Sequence, residues 1–215
     1  MDQTKIHPIP EPSLRRLPAY LFYLRRMLAG GRDVISCPHI ARDLHLDPTQ
    51  VRKDFEATGM IGKPKVGYPI PQLVETIEEF LGLHNTRDAF LVGAGHLGAA
   101  LLGYEGFREI GLNVVAAFDS DPAKVGGQLR GIDVLPMDKL IELAQRMAVH
   151  IGIITVPAAA AQPVADDLVT GGIRAIWNFA PTHLLVPESV VLEEVHLSSS
   201  LAVLSSRLNK LLAHD

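Results

Sequence analysis

From Ser13 onward, Leu14, Leu17, Leu21, Leu24 and Leu28 recur three and four residues apart, with Arg15, Arg16, Arg25 and Arg26 on other faces. That spacing predicts a helix. Ser13 is placed to cap it, Pro18 to kink or restart it, and Gly30-Gly31 to end it. The Pro-rich residues 1–12 read as extended chain. Val34-Ile35-Ser36 then lead into a second helix over roughly 38–45, with Ser36 as N-cap and Pro38 in its first turn. After a break at Leu46-Asp47, Asp47 caps a third helix, with Pro48 first and Gln50 at the capping-box position. That helix carries Val51, Arg52, Lys53, Asp54 and Phe55 and ends near Gly59. The segment from Gly62 to Tyr68, with Lys63, Pro64 and Lys65, reads as a hairpin tip, or wing. Residues 72–82 (Leu73, Ile77, Phe80, Leu81) form a further helix.

From Asp88 the pattern changes to an alternation of short apolar runs and helical segments. Strands are expected at 88–93, 113–118, 132–135, 149–155, 173–178 and 190–195, and helices at 97–110, 137–147 and 159–170. This β-α rhythm implies an α/β fold with a mostly parallel sheet covered on both faces. A last helix, 198–212, places Leu197, Leu201, Leu204, Leu208 and Leu211 on one face, with Ser198 or Ser199 as cap.

Composition adds limits. The 215 residues are 47% hydrophobic and 20% charged, as in an ordinary globular chain of one or two domains. No run of 18 apolar residues predicts a membrane span, and no signal-peptide pattern opens the chain. The single cysteine, Cys37, leaves no internal disulfide, and the expected location is a reducing cytoplasm. The net charge of −4 is unevenly spread: residues 5–68 hold 11 Lys+Arg against 6 Asp+Glu, and residues 69–215 hold 9 against 17. A basic N-terminal third on an acidic body points to a polyanion as partner of that third alone, although many solvated surfaces are also basic.

Two constellations carry chemistry. The first is Phe90-Leu91-Val92-Gly93-Ala94-Gly95-His96-Leu97-Gly98, an apolar strand running into G-x-G-x-x-G, with Asp119 21 residues after Gly98. In a dinucleotide-binding unit Gly93 permits the tight turn, Gly95 lets backbone approach a pyrophosphate, and Gly98 lets the helix pack on the sheet. Asp119 ends the next apolar run, where a carboxylate accepts the hydroxyl protons of an adenosine ribose and repels a 2′-phosphate. That favours NAD(H) over NADP(H). The bland reading is a Gly-rich turn in a nucleotide-free α/β domain. Thr155-Val156-Pro157 and Asn178-Phe179-Ala180-Pro181 close two strands and are expected to flank a nicotinamide. Pro157 and Phe179 would act as apolar walls and Asn178 as a partner for the carboxamide, or both segments are ordinary strand ends. Tyr104 is either within reach of the cofactor or a core residue. His96, His183 and His196 have no carboxylate at an orienting spacing, so a catalytic role is not expected of them. No metal-ligand spacing is present.

The second constellation is the third helix, which with the helix before it makes a helix-turn-helix pattern. Gln50, Arg52 and Lys53 lie in its first turns, where a recognition helix meets base edges, and Lys63 and Lys65 are placed to neutralise phosphates. The alternative is a solvated basic face.

Taken in order, these segments resemble the Rex family of redox-sensing transcriptional repressors. The resemblance is carried by Arg16-Leu17-Pro18 with Tyr20, by Gln50-Val51-Arg52-Lys53-Asp54-Phe55, by Val66-Gly67-Tyr68 and by the Gly93–Gly98 turn. It continues through Tyr104, Phe118-Asp119-Ser120-Asp121-Pro122, Lys124-Val125-Gly126, Thr155-Val156-Pro157, Ala161-Gln162 and Asn178-Phe179-Ala180-Pro181. It implies a winged-helix DNA-binding domain (1–84), a Rossmann-type doubly wound NAD(H)-binding domain (85–196) and a C-terminal dimerisation helix (197–215) that inserts into a partner subunit. It further implies a homodimer that binds a palindromic double-stranded operator and is released by NADH, with no membrane partner and no catalysis. The cofactor residues it implies are Gly93, Ala94, Gly95, His96, Leu97, Gly98, Tyr104, Asp119, Thr155, Val156, Pro157, Asn178, Phe179, Ala180 and Pro181. The DNA residues are Gln50, Arg52, Lys53, Lys63 and Lys65. The chain departs from the family's usual pattern at Phe22 and His196, where an arginine and an acid are common. The competing reading is an NAD-dependent dehydrogenase with a helical accessory domain, disfavoured because little chain remains for a substrate domain. A weaker one is a nucleotide-binding regulator acting through a protein partner.

Overall fold

A computed structural model describes residues 9–63, 66–83 and 87–213. The chain divides into two compact units, Met1–Asn85 and Thr86–Asp215.

In the first unit, α1 (Glu11–Ala29) begins at Pro10 rather than at Ser13, which is buried inside the helix. Pro18 lies inside α1 on its exposed face and does not interrupt it. Gly31 ends the helix at φ 81°. β1 (Val34–Ile35) precedes α2 (Cys37–Leu44) and α3 (Pro48–Ala57). Asp47 caps α3 by accepting from the amides of Thr49 and Gln50, whereas Ser36 makes no side-chain cap on α2. β2 (Tyr68–Pro69) pairs antiparallel with β1, Lys63 bridges Gly67 just before it, and α4 (Ile70–Leu81) closes the unit. Leu17, Tyr20, Leu24, Ile40, Val51, Phe55, Leu73 and Ile77 form the core. Tyr20 and Tyr68 each meet Phe55 edge-on at 5.3 Å. Three helices, with β1 before the second and β2 after the third paired as a two-stranded ribbon, make a winged helix-turn-helix.

In the second unit, β3 (Arg87–Val92) leads into α5 (His96–Leu102), and a short α6 (Gly106–Glu109) precedes β4 (Leu112–Asp119). The single helix expected over 97–110 is therefore broken at Gly103-Tyr104-Glu105. β5 (Gln128–Leu129) is an antiparallel addition to β6 (Ile132–Pro136) that hydrophobic patterning did not reveal. Then follow α7 (Leu140–Met147), β7 (Ile151–Ile154), α8 (Ala158–Thr170), β8 (Ala175–Asn178), β9 (Val191–Glu194) and α9 (Leu197–Leu212).

The sheet order is β5-β6-β4-β3-β7-β8-β9, all parallel except β5. The parallel strands thus follow the Rossmann order, whose direction reverses between β3 and β7. Ligands of such sheets sit outside the strand ends at that reversal. Successive residues of β3 serve opposite faces: Phe90 and Val92 pack in one cluster, Ala89 and Leu91 in the other. β8 passes to β9 without a helix. Instead, side chains stitch the connection: Asn178 Nδ2 donates to the Thr182 carbonyl, Glu194 accepts from the Leu184 amide, and Gln162 brackets Leu185. On α9, Leu201, Leu204, Leu208 and Leu211 are 51–65% exposed, and neither Ser198 nor Ser199 caps it. No described helix is long and apolar enough to cross a membrane.

Candidate functional site

The turn after β3 is shaped by its glycines. Gly93 has φ 107°, and a Cβ there would lie 2.8 Å from the backbone of Thr155. The Thr155 hydroxyl sits against this turn, within 2.8 Å of the Gly93 carbonyl and 3.1 Å of that of Val92. A Cβ on Gly98 would fall 2.4 Å from the Gly93 carbonyl oxygen, so α5 rests directly on the turn. A Cβ on Gly95 would meet no protein atom within 4 Å. The backbone there faces open space, the condition for approach by a pyrophosphate.

That space is a cleft of about 840 Å³. It brings together Gly93, Gly95, His96, Leu97, Asp119, Thr155, Val156, Pro157, Phe179 and Pro181 from the sequence reading. The other cofactor candidates stand outside its lining. Ala94 is buried and donates its amide to Asp119, and Gly98 is packed beneath the turn. Asn178 is fully buried and its amide is occupied within its own loop, with Oδ1 accepting from the Ala180 amide. Ala180 is buried. Tyr104 is 61% exposed and starts an aromatic row (Tyr104–Phe107–Trp177–Phe179, centroids 4.9, 5.2 and 4.7 Å apart) that ends at the cleft.

Asp119 is the electrostatic centre. Burial pushes its carboxyl up, but the Asp121 amide, the Lys124 ammonium and the Ala94 amide outweigh this and hold it below the usual range. It is therefore ionised and only accepts. Oδ2 takes the Ala94 amide at 2.8 Å and Lys124 Nζ at 2.9 Å, and Oδ1 takes the Asp121 amide at 2.8 Å. Three of a carboxylate's roughly four acceptor positions are thus filled within the protein. One acceptor position is left open to a ligand, and Lys124 stands beside it as a donor. Replacing Asp119 by alanine is expected to weaken NADH about tenfold or more while the fold persists. Calorimetry with circular dichroism checks this, and unchanged affinity would remove Asp119 from the site.

Sequence reasoning missed the part of the cleft formed by Ser120, Asp121, Lys124, Met137 and the α8 residues Ala160, Pro163, Val164 and Asp167. It also missed a carboxylate near the histidines: His183 Nδ1 lies 2.8 Å and His196 Nε2 3.8 Å from Glu194 Oε2. Among the described residues no group of three His, Cys, Asp or Glu is placed to hold a metal.

In the first unit, Arg52 and Lys53 project from α3 into solvent, and Arg52 faces Glu56 at 3.7 Å. Gln50 donates to Asp54 at 2.8 Å, so its amide is tied to its own helix rather than reaching back to the cap. Lys63 stands at the base of the wing, and Lys65 lies outside the described residues. Asp54, which reads as a surface acid, is fully buried. It accepts from Arg16 twice (2.7 and 2.8 Å) and from Tyr20 (2.7 Å), locking α3 onto α1.

A winged helix-turn-helix and a Rossmann unit with an open nucleotide cleft, in one chain, define a class: DNA-binding regulators that carry their own small-molecule sensor. Comparison with known proteins makes this specific. Residues 84–182 match the "CoA binding domain" family and residues 8–56 the "Putative DNA-binding protein N-terminus" family. The redox-sensing transcriptional repressor Rex of Treponema denticola is 45% identical over 92% of this chain and 94% of its own, and that of Bacteroides fragilis 41% over 97% and 93%. A solved Rex-family repressor, RSP, in complex with beta-NAD+ and operator DNA superposes with TM-score 0.90 at 35% identity, covering 97% of this chain and 96% of its own. RSP in complex with beta-NADH gives 0.87 at 35% identity, covering 97% and 98%. The chain belongs to the Rex family of redox-sensing transcriptional repressors.

Proposed function

We propose that this chain acts as a homodimer whose winged-helix units hold a palindromic operator and whose Rossmann units bind NADH and thereby release it. The observation that carries this is the single cleft holding the open Gly95 backbone, ionised Asp119 and the apolar Pro157 and Phe179, in a chain that also presents Arg52 and Lys53 from a capped helix. The relatives resolved with NAD+, NADH and operator DNA support the same reading. The relatives at 41–45% identity are repressors, so the cleft is a sensor and not the active site of a dehydrogenase.

The cofactor lies across the strand ends, with pyrophosphate at Gly95, adenosine ribose at Asp119 and Lys124, and nicotinamide toward Thr155, Pro157, Phe179 and Pro181. Reduced nicotinamide is neutral and oxidised nicotinamide is a cation, which an apolar wall disfavours. That difference in affinity between two dimer forms is what a switch requires. The exposed leucines of α9 are the surface a second copy covers, as the third of the three domains 1–84, 85–196 and 197–215. The protein works in the cytoplasm, where operator and free dinucleotide meet.

Arg52→Ala with Lys53→Ala is expected to lower operator affinity about 100-fold or more and to reduce the salt dependence of binding, leaving NADH affinity unchanged. Fluorescence anisotropy at several salt concentrations checks this. Undiminished operator binding would move the DNA-reading surface away from α3.

A further inference from the structure

We propose that Asp167 on α8 is a specificity residue for the bound dinucleotide, selecting adenine by accepting a hydrogen bond from its exocyclic amine. This rests on the dinucleotide reading above. If the pyrophosphate meets Gly95 and the ribose meets Asp119, the base lies further along, past the end of β4. There β6 runs beside β4, with Pro136 in register with Asp119, and Met137, the next residue, lines the cleft just past the end of β6. The opposite wall is α8. Ala160, Val164 and Asp167 recur four and three residues apart on it, so one stripe of the helix faces the cleft. The cleft here is apolar through Met137, Ala160 and Val164, and Asp167 puts a carboxylate into it.

Two observations indicate that this carboxylate does not serve the fold. It is half-buried and makes no hydrogen bond or ion pair among the described residues, whereas its neighbour Asp166 accepts from Gln162. It also lies in the last turn of α8, where the helix dipole disfavours negative charge. An acid placed at a cost in an apolar wall is accounted for when its partner arrives with the ligand. A carboxylate only accepts hydrogen bonds. Adenine offers an amine at C6, whereas hypoxanthine and guanine offer a carbonyl there, which a carboxylate repels.

The test is calorimetry with NADH and with its hypoxanthine analogue, deamino-NADH. The wild-type protein is expected to bind NADH about tenfold or more tightly than the analogue. Asp167→Asn, which presents both an acceptor and a donor, and Asp167→Leu, which presents neither, are expected to narrow that ratio to about threefold or less. A role through charge alone would change both affinities alike and leave the ratio standing. Equal wild-type affinities, or a ratio that survives both variants, overturn the assignment of Asp167. The wild-type ratio is read whether or not the variants fold. A wild-type protein that binds neither compound overturns the dinucleotide reading itself, and the role of Asp167 with it.

Discussion

Replacing Asp54 by alanine is expected to destabilise the winged-helix unit by about 3–5 kcal/mol and to weaken operator binding, while NADH binding persists. Asp54 is the fully buried acceptor for Arg16, Tyr20 and Gln50, and Arg16 is only 25% exposed. Removing the carboxylate leaves a mostly desolvated guanidinium and a buried phenol without their partner. Breaking a buried pair from one side costs about 3–5 kcal/mol, a large share of the 5–15 kcal/mol that holds a typical domain. The residues lining the dinucleotide cleft all lie between Val92 and Pro181, in the other unit, so that site keeps its own core. Asp54→Asn keeps the volume but turns an N–H toward donors, and is expected to lose nearly as much. Urea unfolding followed by a probe in each unit checks this, and a loss under about 1 kcal/mol would contradict it. Acid adds a second signature. Burial raises the Asp54 carboxyl, but hydrogen bonds from Arg16, Tyr20, Ser13 and Gln50 outweigh this and leave its pKa lowered in the folded state. A lowered folded pKa means stabilisation that is complete above the unfolded value, about 4, and lost as pH falls through the folded one. The unit is therefore expected to weaken below about pH 4, and Asp54→Asn removes that share of the pH dependence.

Gly98→Ala is expected to leave operator binding intact and make the operator complex resistant to NADH. The added Cβ lies 2.4 Å from the Gly93 carbonyl oxygen and 3.0 Å from Leu91 Cδ2. The carbonyl belongs to the turn and cannot move without reshaping it, so α5 must lift off the sheet. Overpacking of this kind costs about 1–3 kcal/mol, and where the displaced backbone is the ligand's cradle the same amount appears as a loss of about tenfold to hundredfold in NADH affinity. The measurement is NADH affinity by calorimetry alongside operator release by anisotropy. NADH affinity within about twofold of wild type would show that close packing of α5 does not shape the site.

The nucleotide half of the molecule was largely legible because its signals are local. β3, the glycine turn, α5 and Asp119 lie within one βαβ unit, and each residue's constraint comes from backbone a few positions away or from the next strand. Pro157 and Phe179 followed from the rule that ligands lie at strand ends. The far part of the cleft was not legible, because Met137 and the α8 stripe read as ordinary core positions until the sheet order brings β6 beside β4. Asn178 misled for the converse reason: a polar residue at a strand end is equally suited to hold its own loop, and here it does. α5 stops early at Leu102, with Gly103 at its C-cap and Gly106 opening α6, a feature that apolar spacing over 97–110 hides. In the winged helix, Asp54 carries the same sign of evidence as Glu56 two residues on. Only the fold shows that one is buried against Arg16, 38 residues away, while the other stays in solvent beside Arg52.

The most direct measurement is a titration of the preformed operator complex with NADH and, separately, with NAD+, followed by fluorescence anisotropy. The expected result is that NADH releases the operator at concentrations where NAD+ leaves it bound. Equal effects of the two dinucleotides, or no release by either, would contradict the account of the cleft as a redox sensor coupled to the reading helices.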